Sequence, residues 1–238
     1  AMTGYKNYFE GHGEFCVSGS SYSDNLLQYT PWRAFDGQYG RNTSVTVDNW
    51  LSSYTPISYD SSGNATGNNG ILNGVSGEYL ILESPYKVKM SKVLIYPRQH
   101  NSTTLSYSSP PKDGKIWGRN DVNEVWTEIA SYTNLSYGAT KVENLLGQHP
   151  QHVNIDATQY YKYIAFQVTT INITHTSYTG YVNLQELRYF GTREQGQSVL
   201  HDGQLTLTKN LNVPRIGPAL DADDTPRRDR LVVEYNTS

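Results

Sequence analysis

The sequence predicts an all-β fold of the sandwich or barrel type, and two observations carry that prediction. Helical periodicity is scarce along the 238 residues, and the convincing apolar segments are short, rich in Ile, Val, Tyr or Phe, and separated by Gly, Ser, Asn and Pro. Segments of this length and composition between turn residues are typical of strands in a sandwich or barrel. The six segments are GEYLILESP (77–85), VKMSKVLIYPR (88–98), DGKIWGRND (113–121), VWTEIASY (125–132), YYKYIAFQVT (160–169) and VNLQELRYFG (182–191).

The segment at 160–169 has the clearest two-residue period. Tyr161, Tyr163, Ala165 and Gln167 alternate with Lys162, Ile164, Phe166 and Val168. Successive side chains of a strand point to opposite faces, so this alternation predicts a sheet that is packed on one side.

Two polar segments predict long loops, and a third segment predicts an appendage. Residues 52–76 and 99–112 are rich in Gly, Asn, Ser and Thr, and loops of that length are often functional or are solvated excursions. After Gly191 two strand-like stretches, at 204–217 and 231–236, flank a charged turn. About 47 residues bury little core by themselves, so this tail is interpreted as an extension and not as a second domain.

Composition excludes several classes of protein. The net charge is −3 and charged residues make up 17%, whereas a nucleic-acid-binding protein normally has a basic excess. No stretch approaches the roughly 20 apolar residues of a membrane span. The single cysteine excludes an internal disulfide. Tyrosine supplies 20 of the aromatic side chains, against 5 Phe and 4 Trp.

An ordered series of motifs carries a family resemblance. The motifs are WRAFDG (32–37), WLSS (50–53), GEYL (77–80), VLIYPR (93–98), PKDGKIWGRND (111–121), WTEI (126–129), YKYIAF (161–166) and VNLQELRYFG (182–191). In this order they resemble the discoidin, or coagulation factor V/VIII type C, family, to which family 32 carbohydrate-binding modules and fucolectins are similar. The resemblance implies an eight-stranded jelly-roll β-sandwich over residues 14–191, with ligand loops at one end. Residues 1–13 are then a lead-in, and residues 192–238 are a C-terminal β-containing extension.

The resemblance implies a structural calcium ion. Asp36 lies in a glycine turn, where a carboxylate and backbone carbonyls can converge on a hard cation that takes six to eight oxygen ligands. The alternative is that Asp36 only caps the turn. The ligands that the resemblance implies are the side chains of Asp36 and Glu186 and the carbonyls of Arg33, Gln38 and Gln185. A further oxygen ligand is expected from residues 43–48, with Asp48 as the first choice and Thr46 as the second.

The resemblance also implies a sugar site around Arg98, which directly follows a predicted strand. Arginine presents a fixed fork of donors that suits neighbouring sugar hydroxyls, although a surface ion pair is the alternative. A loop tyrosine beside it would cover the apolar face of a sugar ring, and each candidate could equally be an ordinary surface tyrosine. The candidate sugar-binding residues are Arg98, His100, Asn101, His175, Tyr22, Tyr54, Tyr107 and Tyr178. The two histidines do not have the spacing of a zinc site.

Three functions follow, in order of preference. No GxSxG, HExxH or P-loop motif occurs, so an enzyme is not favoured. The first hypothesis, which the resemblance implies, is a non-catalytic, lectin-like glycan-binding module for recognition or adhesion at an extracellular or virion surface. The second is a structural or assembly module whose tail mediates homo-oligomerisation, because the strand-like stretches of the tail lack a core of their own. The tail also resembles, more weakly, part of a larger protein of giant algal DNA viruses, which would make the chain a fragment of a virion protein. The third is phospholipid or protein binding, ranked last because the loops lack exposed apolar tips.

Overall fold

Strands dominate this computed structural model, which describes residues 1–10, 12–23, 29–38, 49–98, 109–137, 150–173, 180–194, 199–201 and 204–206. A 3₁₀ turn spans Pro31–Phe35. The strands are β1 Lys6–Phe9, β2 Gly13–Gly19, β3 Trp50–Leu51, β4 Ile71–Leu72, β5 Val75–Ser76, β6 Glu78–Pro97, β7 Pro111–Arg119, β8 Thr127–Tyr132, β9 Gln151–Asn154, β10 Tyr161–Ile171, β11 Asn183–Arg193, β12 Val199–His201 and β13 Gln204–Thr206.

The strands form an antiparallel β-sandwich, which confirms the predicted fold class. One layer has the order β1-β2-β6-β10-β7-β8. The other layer is made by β3, β11, the second half of β6, and β9, because β11 pairs with both β3 and β6 while β9 pairs with β6. Each of the six segments that the sequence predicts as strands overlaps a strand of the structure, with ends that differ by one or two residues.

Strand β6 belongs to both layers, and here the sequence-based prediction of two separate strands is wrong. Its first half pairs with β2 and β10, and its second half pairs with β9 and β11. Pro85 lies between Glu83 and Val88, where β10 carries a register shift. Proline removes a ladder donor and is therefore tolerated at such an irregularity, so the strand continues through the corner between the layers.

The main core lies between the layers. Phe166, which has no exposed surface, stacks on Tyr132 with ring centroids 5.2 Å apart. Ile164 and Val168 from the same face of β10 join this core, as the alternation predicts.

The opposite face of β10 is also covered, so the expectation of a sheet packed on one side is wrong. Ala165 is buried in a second cluster with Trp117. Gln167 accepts a hydrogen bond from Trp117 Nε1 (2.9 Å) and donates one to Val75 O (2.8 Å). Val75 belongs to the β4–β5 hairpin, which lies within the predicted loop 52–76 and packs over this face.

The described sheet begins at Lys6 and β11 ends at Arg193, slightly beyond the predicted domain limits of 14 and 191. Ala1–Thr208 forms one compact unit, and a second unit, Lys209–Ser238, lies outside the described residues. The second strand-like stretch and the charged turn of the tail lie in that undescribed region. Among the described residues, no helix is long and apolar enough to span a membrane.

Candidate functional site

Four connecting segments meet at one end of the sandwich, which we call the loop end. They are residues 20–23 after β2, residues 52–77 between β3 and β6, residues 98 and 109–110 between β6 and β7, and residues 172–173 and 180–182 between β10 and β11. Backbone hydrogen bonds join them: Ser23 N to Leu51 O (2.9 Å), Ser52 N to Val182 O (3.1 Å), Ser58 N to Gly180 O (2.9 Å), Asn172 N to Pro110 O (2.9 Å) and Asn183 N to Ser109 O (3.1 Å).

Arg98 lies at this end, directly after β6. Its side chain is half-buried, and its Nε is buried without a hydrogen-bond acceptor among the described residues. Asn183 Nδ2, at the start of β11, is a second buried donor without an acceptor among the described residues. The strands are adjacent, because Leu184 pairs with Pro97. A buried donor without an acceptor costs about 1–3 kcal/mol, so this place favours a ligand or water that brings oxygen atoms.

Tyr22 and Tyr54 also lie at the loop end, with 42% and 43% of their surface exposed. The ring of Tyr54 makes an edge contact with Tyr181, with centroids 4.9 Å apart. Ser53 N donates to Ser21 Oγ (3.0 Å), so the backbone segments that carry Tyr22 and Tyr54 are direct neighbours.

The other five predicted sugar-binding residues are not placed. His100, Asn101, Tyr107, His175 and Tyr178 lie outside the described residues, and their roles stay predictions. The structure therefore places Arg98, Tyr22 and Tyr54 at one end of the molecule, and a role of any of the eight residues in sugar binding stays a prediction.

Glu78 anchors the loop end and was not predicted as a functional residue. It is 1% exposed and accepts hydrogen bonds from the hydroxyls of Ser20, Ser21 (2.7 Å) and Ser58. Its backbone N donates to Tyr59 Oη (3.3 Å). The motif GEYL at 77–80 contains Glu78, but nothing in that motif identifies the three serines that complete the cluster.

A second buried acidic site lies between the 3₁₀ turn and β11, and we call Asp36 and Glu186 the acid pair. Each is 4% exposed. Asp36 Oδ1 accepts from Gln38 N (2.8 Å) and its Oδ2 from Arg33 Nη1 (3.4 Å). Glu186 Oε2 accepts from Gly37 N (3.1 Å), and Arg188 Nε lies 3.7 Å from Oε1.

Burial raises the pKa of Glu186 to about 8, and the neighbouring charge of Asp36 adds to this rise. The amide of Gly37 and the guanidinium of Arg188 act in the opposite direction. The charged form of this carboxyl is therefore poorly stabilised, because the cost of removing it from water is not balanced by its few donors.

The residues of the acid pair suit a hard cation in their chemistry. The carboxylates of Asp36 and Glu186 are both buried and lie close together, since Glu186 accepts from the amide next to Asp36, and Ca²⁺ prefers oxygen ligands of this kind. Thr46 and Asp48 lie outside the described residues. Within the described residues, no group of three or more His, Cys, Asp or Glu side chains could hold a metal ion, so the described acidic ligands number two.

Comparisons with known proteins give structural similarity without sequence relatives. No protein-family model matches the chain, and no curated protein matches it. A SusE-like protein is 14% identical, with a TM-score of 0.53, over 76% of this chain and 65% of that chain. This score shows a shared fold.

Two other matched structures are family 32 carbohydrate-binding modules from Clostridium perfringens. One, from NanJ and in complex with galactose, is 17% identical with a TM-score of 0.46, over 74% of this chain and 92% of that chain. The other, in complex with GalNAc-β-1,3-galactose, is 11% identical with a TM-score of 0.49, over 74% and 95%. The weaker resemblance of the tail to a viral protein receives no support from the comparisons.

Proposed function

We propose that this protein is a non-catalytic carbohydrate-binding module that holds a glycan at the loop end. The observation that carries the proposal is the Nε of Arg98, a buried donor without an acceptor among the described residues at the end where four loops meet. Sugar hydroxyls supply acceptors of the required kind, and the guanidinium group can donate to two of them at once.

The surroundings of Arg98 support a carbohydrate over other ligands. The exposed side chains of Tyr22 and Tyr54 offer an apolar ring face and a polar hydroxyl at the same end, which is the combination found where one side of a ligand is apolar and the other is wet. A net charge of −3 favours a neutral ligand over a polyanion such as nucleic acid.

Glycan arrays followed by calorimetry test this proposal. The wild-type protein is expected to bind at least one glycan, and Arg98→Ala is expected to weaken that binding at least about tenfold, which corresponds to roughly 1.4 kcal/mol. Lys6→Ala is the matched control, because Lys6 is an exposed cation on the edge strand β1. Absence of any glycan binding, or equal binding by Arg98→Ala and the wild type, would contradict the proposal.

We further propose that calcium stabilises the module at the acid pair. Asp36, Glu186, the carbonyls of Arg33, Gln38 and Gln185, and Asp48 or Thr46 would hold the ion, and the ion would bring a double positive charge to the two buried carboxylates. Binding at an extracellular or virion surface, and oligomerisation through residues 192–238, stay predictions.

A further inference from the structure

A cluster of aromatic rings and one arginine lies at the end of the sandwich opposite the loop end, which we call the far end. Arg193, the last residue of β11, pairs with Val88 of β6, whereas Leu184, near the start of β11, pairs with Pro97, which directly precedes Arg98. At about 3.3 Å per strand residue, the two positions on β11 are roughly 30 Å apart. The cluster is therefore separate from the proposed glycan site.

The guanidinium group of Arg193 has a donor edge that no described residue uses. Its Nε and Nη2 are both buried and have no hydrogen-bond acceptor among the described residues. These two nitrogens share one edge of the planar group, and such an edge matches the two oxygens of a carboxylate. Of the described arginines with a buried unpaired nitrogen, Arg193 alone leaves both atoms of this edge unpaired, whereas Arg33, Arg98 and Arg119 leave only Nε.

Aromatic rings surround this donor edge. The Cζ atom of Arg193 lies 3.7 Å from the centre of the Tyr86 ring, so that ring covers one face of the guanidinium group. Tyr86 makes an edge contact with Phe15 (centroids 5.8 Å apart), and Phe15 makes another with Phe9 (5.6 Å). The three rings and Arg193 are all half-buried, so the cluster offers apolar surface that solvent reaches.

One positive charge faces the rings from these two strands. Val88 packs against the main core, and Arg193, directly opposite it, lies on the same face of the sheet. Lys87 and Lys89 alternate with Val88 along β6 and therefore lie on the other face. A single guanidinium charge matches a ligand that carries one negative charge.

The described acids of the neighbouring strands are paired elsewhere. Glu14, which precedes Phe15 in β2, lies 3.7 Å from Lys6, and Glu83 of β6 lies 2.8 Å from Lys162. Arg193 stays charged at any ordinary pH, and leaving its buried donors without acceptors costs free energy. Apolar walls also disfavour a doubly charged, strongly hydrated anion such as phosphate.

We propose that Arg193, Tyr86 and Phe15 form a binding site for a carboxylate that is carried on an apolar group, such as an aromatic or short aliphatic acid. The carboxylate accepts from Nε and Nη2, and the apolar group packs on the rings. This site does not depend on the proposed glycan binding. The same chemistry occurs in a small organic acid and at the carboxyl end of a polypeptide, and the experiment distinguishes the two sources.

Titration with benzoate, in a buffer free of other carboxylates and of phosphate, tests the site. Nuclear magnetic resonance of ring-labelled tyrosine and of the arginine Nε–H groups should show shifts at Tyr86 and Arg193, and the Tm should rise. Benzamide, which has the same shape without the charge, and inorganic phosphate should each bind at least about tenfold more weakly. A short peptide that ends in phenylalanine, compared with its amidated form, identifies the source: tighter binding than benzoate assigns the site to a polypeptide end, and weaker binding assigns it to a small acid.

Variants of Arg193 separate the donor edge from the charge. Arg193→Met and Arg193→Lys should each weaken benzoate binding at least about tenfold, the second because lysine keeps the charge and loses the planar fork. Lys89→Met is the matched control, since it removes one positive charge from the neighbouring strand opposite Thr192, and it should bind benzoate as the wild type does.

The same variants show whether the chain itself satisfies Arg193. Without ligand, the Tm of Arg193→Met should be at least as high as that of Lys89→Met, because an uncompensated buried charge is removed. A clearly lower Tm would mean that the guanidinium group is already paired within the protein, and would overturn the site. Absence of benzoate binding, equal affinity for benzoate and benzamide, or undiminished binding by both Arg193 variants would also overturn it.

Discussion

Glu78 and Glu186 are both buried carboxyl groups, and their surroundings differ in the number of donors that reach them. Glu78 accepts from three serine hydroxyls. Glu186 has the amide of Gly37 at 3.1 Å and the guanidinium of Arg188 at a longer 3.7 Å, and Asp36 brings a like charge nearby. A buried charge is stable when hydrogen bonds replace its lost water, so the first group serves as a structural anchor and the second has fewer donors to offset its burial.

The largest expected effect is on Glu78. The variant Glu78→Ala leaves the hydroxyls of Ser20, Ser21 and Ser58 without their buried acceptor, at about 1–3 kcal/mol for each group that stays unsatisfied. The free energy of unfolding, measured in urea, should therefore fall by about 3 kcal/mol. Glu128→Ala is the control, because Glu128 forms an exposed pair with Lys115 and such pairs contribute up to about 1 kcal/mol. Equal losses in the two variants would show that Glu78 is not an anchor.

The second largest change in the free energy of unfolding is expected on addition of calcium, for which the acid pair is the proposed site. If calcium binds there, a concentration one hundredfold above its Kd raises the free energy of unfolding by about 2.7 kcal/mol. Differential scanning fluorimetry with calcium and with EDTA measures this as a change in Tm. Asp36→Asn should lose the response, whereas Glu78→Gln should keep it. A wild-type Tm that is the same in calcium and EDTA would remove the metal from the proposal.

The surroundings of the two carboxyls also show which features of the structure could be predicted from the sequence and which could not. The strands and the sandwich were predictable, because short Ile, Val, Tyr and Phe segments between turns leave few other folds. Ser20 and Glu78 are 58 residues apart, so no local pattern connects them, and Tyr5 reaches Tyr22 only through the pairing of β1 with β2. The covered outer face of β10 was missed for the same reason, since the alternation of a strand describes its own faces and not what packs on them.

A third experiment uses one substitution at both carboxyls in EDTA. Glu78→Gln replaces a carboxylate, which accepts from three hydroxyls, with an amide that has only one acceptor oxygen. This variant should therefore have a free energy of unfolding that is lower by about 1–2 kcal/mol. Glu186→Gln removes a poorly compensated buried acid, and replacing such groups by neutral ones is often neutral or stabilising. Urea unfolding should therefore show a loss smaller than about 0.5 kcal/mol for Glu186→Gln. A loss at Glu186 as large as that at Glu78 would mean that the two sites are equally satisfied.

The smallest effect is expected at the tyrosine pair of the loop end, and it depends on pH. Burial raises the pKa of Tyr5 to about 12, and the charge of Tyr22 and its hydrogen bond add to the rise. The folded protein therefore keeps its proton more tightly than the unfolded chain, where tyrosine ionises near pH 10. The contribution to stability is complete below pH 10 and is lost as the pH rises from 10 to 12.

The titration of Tyr5, followed through its ring-labelled signal, checks the assignment of this pair. In Tyr22→Phe the hydroxyl partner is gone, so Tyr5 should ionise at a lower pH than in the wild type while its burial still holds the pKa above 10. Tyr54→Phe is the control, because Tyr54 contacts Tyr181 and is equally exposed, and it should leave the titration of Tyr5 unchanged. If Tyr5 titrates identically in the wild type and Tyr22→Phe, the two hydroxyls do not interact.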